Sequence, residues 1–268
     1  MTGTRLDAAL ADRGLARSRT HAARLIADGV VTVDGRPALK PSQRVEDSQA
    51  IDVAQDDGHV SRAALKLIAA LDAFPVPVAG RLALDVGAST GGFTQVLLER
   101  GAATVIALDV GHGQLHPDIR FHPRVRVVEG VNARYLTAPS LAELSGIPEV
   151  PDLVVADLSF ISLPTVLPGL VDTVGTSADM ILLIKPQFEV GRSGIREGVV
   201  RDRGLRRDAV ERVLWAAWDM GLPTAGLLPS PIVGSSGNQE YLAWFSEVSG
   251  TNPTEWLTQL SQLDAPEG

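Results

Sequence analysis

Two apolar runs in this chain end on charged groups. Asp152-Leu153-Val154-Val155-Ala156 runs into Asp157, then Leu158-Ser159-Phe160-Ile161. Met180-Ile181-Leu182-Leu183-Ile184 runs into Lys185, then Pro186-Gln187-Phe188-Glu189. The carboxyl ends of parallel strands are where doubly wound sheets bind ligands. An acid and a lysine at neighbouring strand ends therefore face one site, either as a strand-end salt bridge or as acid–base machinery. A lysine beside apolar walls and a second cation gives up its proton more readily and can act as a base. Lys66, in a helical run ahead of the first strand of the alternating region, and Glu240, opening the last, complete the order Lys-Asp-Lys-Glu. Alone, each of these two reads as a surface charge.

A ligand loop precedes this set. The apolar run Leu84-Asp85-Val86 enters Gly87-Ala88-Ser89-Thr90-Gly91-Gly92-Phe93, whose small residues let backbone approach a ligand closely. No Gly-Lys-Ser/Thr follows, so it is not a P-loop, and the spacing G-x-x-x-G-G is not the dinucleotide fingerprint. The next apolar run, Thr104–Leu108, ends at Asp109, where an acid can accept hydrogen bonds from ribose hydroxyls. Asn132 follows the third run, Val125–Val128, and is a candidate contact for adenine.

These motifs resemble those of S-adenosylmethionine (SAM) methyltransferases. The resemblance implies SAM as cofactor, held by Asp85, Gly87, Ala88, Ser89, Thr90, Gly91, Gly92, Phe93, Asp109, Asn132 and Asp157. The Lys66-Asp157-Lys185-Glu240 order is similar to the tetrad of FtsJ-type ribose 2′-O-methyltransferases. That likeness implies Lys185 as the base, Asp157 orienting it and the methyl donor, Lys66 keeping it poised by like-charge repulsion, and Glu240 positioning the lysines or the hydroxyl. A ribose hydroxyl is a poor nucleophile, so the chemistry needs a base and in-line placement.

The elements that must position these groups alternate. Strands are predicted at 81–86, 104–109, 125–128, 152–157 and 179–184, and helices at 61–74, 92–100, 140–146, 161–173 and 203–220. Later strands at 224–228 and 240–246 complete the sheet, one of them antiparallel, and a short helix closes the chain at 255–263. Alternation of this kind predicts an α/β fold, a doubly wound, Rossmann-like sheet. The loop Gly191–Gly198 is read either as a cover over the site or as a connector.

Residues 1–55 read as a small α+β module. Leu6, Leu10 and Leu15 mark a first helix ending near Gly14, Ser18 caps a second over Arg19–Asp28, and Val30–Val33 enters a hairpin at Asp34-Gly35, with a closing strand at Ala50–Val53. Arg5-Leu6-Asp7, Arg17-Ser18-Arg19, Ala23-x-Leu25-Ile26, Gly29-x-Val31-x-Val33-Asp34-Gly35 and Lys40-Pro41 resemble the S4 type of RNA-binding domain. The resemblance implies RNA contacts by Arg5, Arg17, Arg19, Lys40 and Arg62. Residues 56–61 are the expected linker, with the methyltransferase domain over 62–268.

Charge agrees with this polarity. The chain carries −8 overall, which argues against indiscriminate nucleic-acid binding. Residues 1–45 hold eight basic side chains against four acids, +4, which leaves −12 for the other 223 residues and makes the N-terminus the expected nucleic-acid end. There is no cysteine, and the five histidines show no ligand spacing, so no metal site is expected. The absence of a long apolar run or signal-peptide pattern points to a cytoplasmic protein without a membrane partner, expected as a monomer.

Domain order, loop and tetrad together resemble the TlyA (hemolysin A) family. The likeness rests also on Asp109–Leu115, Lys185–Gly191 and Ser230-Pro231-x4-Ser236-Gly237-Asn238-x-Glu240-Tyr241. It implies methylation of cytidine ribose 2′-hydroxyls in large-subunit rRNA, with the small subunit as a second target, and ribosomal subunits as partners. The chain departs from the family pattern at Asp57-Gly58-His59-Val60, where some members carry Arg-Ala-Trp-Val. Two competing readings are a non-catalytic ribosome assembly factor and, more remotely, a membrane-active hemolysin.

Overall fold

A computed structural model of the chain describes residues 3–16, 18–27, 29–38, 40–53, 58–191, 198–234 and 237–263. The chain divides into two compact units, residues 1–62 and 63–268.

In the first unit the hydrophobic periodicity becomes a two-helix core. Strand β1 (Thr4–Arg5) leads into helix α1 (Leu6–Asp12), and α2 (Arg19–Ala27) packs against it. Strands β2 (Val31–Val33), β3 (Arg36–Pro37), β4 (Arg44–Val45) and β5 (Ile51–Val53) follow. Leu6, Leu10, Ala22, Ile26, Val31, Val45 and Ile51 form one buried cluster. The β2–β3 hairpin turns on Asp34 and Gly35, both with positive φ, as a two-residue turn requires. The Asp34 carboxylate accepts from Gln49 Nε2 and from the Ala50 backbone N–H, which ties that turn to the approach of β5. The first helix stops at Asp12, short of the expected Gly14, and the pairing of β1 with β4 goes beyond the expected strands, because two-residue strands leave no periodicity to read.

The second unit opens with α3 (Ala63–Ala73) and then alternates: β6 (Leu82–Val86), α4 (Gly92–Glu99), β7 (Thr104–Asp109), α5 (Pro117–Arg120), β8 (Val125–Glu129), α6 (Ala138–Ser145), β9 (Leu153–Ala156), α7 (Leu163–Val174), β10 (Asp179–Ile184), α8 (Pro186–Glu189), α9 (Arg203–Trp218), β11 (Thr224–Pro229), β12 (Tyr241–Phe245) and α10 (Leu257–Leu263). The seven strands lie in the order β11-β12-β10-β9-β6-β7-β8, and only β12 runs against the rest. The central strands β9 and β10 are apolar and buried along nearly their whole length, as expected for parallel strands covered on both faces.

Chain order reverses at β6. The chain moves outward through β7 and β8, then returns to lay β9 on the other side of β6. The crevice at the carboxyl ends of β6 and β9 is therefore the topological switch point, where open α/β sheets bind ligands.

Boundaries differ from expectation where a cap decides them. Helix α6 starts at Ala138 because Thr137 and Ser140 form a reciprocal capping box. Helix α7 starts at Leu163 because the carboxylate of Glu189, remote in sequence, accepts its first N–H at 2.8 Å. Helix α9 ends at Trp218, with Gly221 in the left-handed region just beyond. Among the described residues no helix is long and apolar enough to cross a membrane.

Candidate active site

Strand register assembles the site. Val86 pairs with Ala156, and Ala156 with Leu182, so Gly87, Asp157 and Lys185 all emerge at the carboxyl edge of neighbouring strands. Ile184 pairs with Tyr241 in the one antiparallel strand, so Glu240 enters β12 where Lys185 leaves β10. Lys66 comes from α3, whose Ala64, Leu67, Ala70 and Leu71 are buried and draw the lysine inward with them.

The four charged side chains meet as an alternating series. Lys185 Nζ lies 2.6 Å from Asp157 Oδ1. Lys66 Nζ lies 3.2 Å from Asp157 Oδ2 and 2.8 Å from Glu240 Oε2. Two cations and two anions thus cancel inside a site where each side chain is at most 15% exposed. Burial opposes the Lys66 ammonium, but the charges of Asp157 and Glu240 outweigh it and raise its pKa above the ordinary lysine value. Burial likewise opposes the Asp157 carboxylate, and the two lysines overcome it and hold its pKa low. Asp157 stands between Lys66 and Lys185 and presents one oxygen to each.

Glu240 is buried behind this series. Its Oε2 takes Lys66, and its Oε1 accepts from Gln187 Nε2 at 3.3 Å. A Cβ on Gly234 would lie 2.5 Å from that Oε1, so glycine leaves the room the carboxylate occupies. Lys185 is at the other end of the series. Its Nζ donates to Ser159 Oγ at 3.0 Å and sits 6.0 Å from the Phe188 ring centre. Phe160, 92% exposed and with φ of 64°, lies 5.3 Å from Phe188 ring to ring.

Ser159, Gln187 and Phe160 carry no role that the sequence alone assigns. The signal available for them is position, since each lies within three residues of Asp157 or Lys185. Glu189 is likewise silent in the sequence. It accepts from Ser162 Oγ at 2.6 Å and caps α7, while its own carbonyl takes Arg212 Nη1 at 2.6 Å. Burial pushes its pKa up against these hydrogen bonds. The turn that carries Lys185 is thereby fixed to two helices.

Beside the tetrad lies a cavity of about 490 Å3, within the range of small-molecule sites. Of the residues expected to hold a cofactor, Gly87, Ser89, Asp109, Asn132 and Asp157 line it. Gly87 has φ of 84°, and a Cβ there would lie 2.8 Å from the Asp157 carbonyl oxygen, so only glycine lets these two strand ends close together. Asp109 is clamped by backbone, with Oδ2 accepting from Ser89 N at 2.8 Å and Oδ1 from Gly111 N at 2.7 Å. Asn132 Oδ1 caps the short turn that follows it, which leaves its amide nitrogen unused by that cap.

Ala88, Thr90, Gly91, Gly92 and Phe93 fall outside the cavity lining and shape the turn into α4 from behind. Asp85 also lies outside the lining and is fully buried. Thr94 Oγ1 donates to its Oδ2 at 2.6 Å. Burial pushes the pKa of this carboxyl up to about 7, against that hydrogen bond. The residues at the cavity fit SAM: a clamped acid for hydroxyl groups, an amide, apolar walls and a glycine cradle. Among the described residues no cluster of His, Asp and Glu could hold a metal ion.

The residues expected to meet RNA lie in the first unit. Arg5 and Arg19 converge on Asp7, at 3.0 and 3.1 Å, and the Arg5 hydrogen bond with its charge holds that carboxyl well below the usual range. Lys40 is exposed, and Arg62 lies against Gly29, where a Cβ would collide with its guanidinium. Arg17 lies outside the described residues, as do 192–197 of the Gly191–Gly198 loop.

A doubly wound sheet with one reversed strand, a cradle at its switch point and a buried lysine–carboxylate series defines the class of SAM-dependent methyltransferases. The FtsJ-like methyltransferase family matches residues 59–247, and the S4 domain matches residues 4–51. The chain is 52% identical to the 16S/23S rRNA (cytidine-2′-O)-methyltransferase TlyA of Mycobacterium tuberculosis, over 90% of this chain and 88% of that protein. It is 37% identical to Hemolysin A of Brachyspira hyodysenteriae, over 90% and 99%. A solved structure of a Streptococcus thermophilus protein described as a candidate hemolysin is 36% identical, with a TM-score of 0.74 over 98% of this chain and 96% of that one. The chain belongs to the TlyA family of FtsJ-like methyltransferases.

Proposed function

We propose that the protein transfers a methyl group from SAM to the ribose 2′-hydroxyl of a cytidine in ribosomal RNA, with the large subunit as substrate and the small subunit as a second target. The observation that carries this reading is the buried Lys185–Asp157–Lys66–Glu240 series, whose terminal lysine is held by two residues, Asp157 and Ser159, that line a cavity of small-molecule size. SAM supplies an electrophilic methyl on a sulfonium. The chain's own residues do the rest. Lys185 must first give up the proton it carries in the ion pair with Asp157; as the amine it takes the hydroxyl proton as the oxygen attacks, so a C–O bond forms, the S–CH3 bond breaks, and the proton remains on Nζ. Asp157 and Ser159 fix that Nζ from two sides. Lys66 holds Asp157 Oδ2 and is itself held by Glu240, so these two would act as positioning residues. Gly87, Ser89, Asp109 and Asn132 would hold the cofactor, and the S4 domain would grip rRNA through its basic face in the cytoplasm.

Tritiated SAM, the purified protein and unmodified ribosomal subunits test the reading, with products mapped by mass spectrometry. Label on a cytidine ribose that disappears in Lys185→Ala, with SAM binding retained, is the expected result. Absence of label on either subunit with SAM bound would overturn it in favour of a non-catalytic assembly factor.

A further inference from the structure

A patch of arginine on the methyltransferase unit has no part in the chemistry above. Arg201, Arg203, Arg206 and Arg207 fall within seven residues, with Asp202 as the one acid among them. Residues 63–268 carry 15 basic side chains against 23 acids, −8, so this +3 stretch stands out against an acidic unit. Arg201, Arg203 and Arg207 are exposed.

Helix stability does not account for them. The first turns of α9 are the positive end of its dipole, where cations are unfavourable and acids favoured. Local acids do little to neutralise Arg203 and Arg207. The Asp202 carboxylate caps the helix by accepting from Leu205 N at 3.0 Å, and Asp208 Oδ1 is 3.9 Å from Arg207 Nη2. Arg206 turns inward, donating to the carbonyls of Val200 and Arg201.

Position gives the patch its meaning. Helix α9 connects β10 to β11, which run the same way, so its first turns lie at the carboxyl edge of the sheet with Lys185. Two bonds from one buried side chain set the approach to it. Asn238 accepts from Val200 N at 2.9 Å and donates to Gly198 O at 2.8 Å, two residues before Glu240. Arg212, one turn further along α9, holds the carbonyl of Glu189 at the end of the Lys185 turn. The arginines are therefore mounted on the same supports as the tetrad.

We infer that Arg201, Arg203 and Arg207 form a phosphate-gripping surface on the methyltransferase unit, which holds the RNA backbone beside the target nucleotide independently of the S4 domain. The inference rests on the proposed rRNA methyltransferase activity. Phosphate contacts position a nucleic acid without reading its sequence and make binding strongly salt-dependent.

The test is the double variant Arg203→Glu/Arg207→Glu in the full-length protein, compared with wild type and with Arg100→Glu, a reversal at the C-terminal end of α4. An acid suits position 203 in the first turn of α9, and Arg207 is exposed on its second turn, so the variant should fold, and its melting temperature verifies this. Binding to ribosomal subunits is titrated between about 50 and 200 mM salt, beside methylation kinetics. The expected result is a loss of affinity of about tenfold per arginine and a salt slope shallower by about two. KM for RNA should rise, with SAM binding unchanged and Arg100→Glu like wild type. A double variant with wild-type slope and KM overturns the inference and leaves the proposed reaction standing. Equal losses in Arg100→Glu also overturn it, since net charge alone would then explain them. A wild-type protein that neither binds nor labels either subunit removes both.

Discussion

Asp157 is the shared anion of the site, and its removal should be repaired by removing Lys185 as well. In Asp157→Asn, Lys66 and Lys185 face only Glu240, a surplus of one buried cation. In Lys185→Met, Asp157 and Glu240 face only Lys66, a surplus of one buried anion. Breaking a buried pair from one side costs about 3–5 kcal/mol, because the orphaned charge stays out of water. For a unit of about 200 residues each kcal/mol lowers the melting temperature by about 2–4 °C, so each single variant should melt roughly 10 °C below wild type. The double variant leaves Lys66 on Glu240 at 2.8 Å, with the introduced amide carbonyl able to accept from the same ammonium. It is neutral again and should be more stable than either single variant, with a coupling of about 3 kcal/mol or more between the two sites.

The singles should also respond oppositely to pH. A cation surplus is relieved by losing a proton, so the deficit of Asp157→Asn shrinks as pH rises. An anion surplus is relieved by gaining one, so the deficit of Lys185→Met shrinks as pH falls. In wild type, Asp157 has a lowered pKa, so its contribution is present above about pH 4 and fades only as pH falls through the folded value. Lys66 has a raised pKa, so its contribution is present below about pH 10 and fades only above that. Denaturant melts at several pH values measure all of this without SAM or RNA. A double variant that loses the sum of the two single deficits would refute the alternating-charge account.

Two further outcomes follow from the cofactor loop. Asp85 has its pKa raised to about 7 in the fold, against about 4 unfolded. The folded protein therefore binds the extra proton between those values, and this residue lowers stability as pH rises from about 4 to 7. Asp85→Asn should remove that slope in denaturant melts at pH 5 and 8, and an unchanged slope would place the titration elsewhere. Gly87→Ala puts a Cβ at a positive φ and 2.8 Å from the Asp157 carbonyl. It should cost about 1–3 kcal/mol from the backbone alone and weaken SAM binding measured by calorimetry. Wild-type affinity there would show that the close approach of the two strand ends is dispensable.

The methyltransferase sheet was legible because its strands are buried on both faces and read as continuous apolar runs, so a charge at the end of a run stands out. Asp157 and Lys185 were visible for that reason. The cradle was visible through glycine, whose positions 87 and 91 both take positive φ. Less legible were groups fixed by partners remote in sequence. Glu189 caps a helix 26 residues earlier, and Asp85 turns into the core to meet Thr94 and away from the cavity. Arg5 and Arg19 read as free basic groups, yet both meet Asp7, Arg5 from two residues away and Arg19 across 12 residues, a separation with no periodicity to announce it.

The tetrad marks the boundary between the two kinds of information. Its four residue types and their order are in the sequence, but its electrostatics depend on which oxygen meets which nitrogen. Two lysines and two carboxylates placed separately in a protein interior would each lose hydration without compensation. Set in alternation along Lys185, Asp157, Lys66 and Glu240, they sum to zero, and each interior member is held on two sides. Each terminal member has one charged partner, where each interior member has two. Lys185 is the terminal cation, and its two partners, Asp157 and the neutral Ser159, both line the cavity. The opposite terminus, Glu240, is sealed by burial and by Gln187. The arrangement thus sets the one terminal cation of the series beside the cavity-lining Asp157 and Ser159, and its terminal anion in the interior.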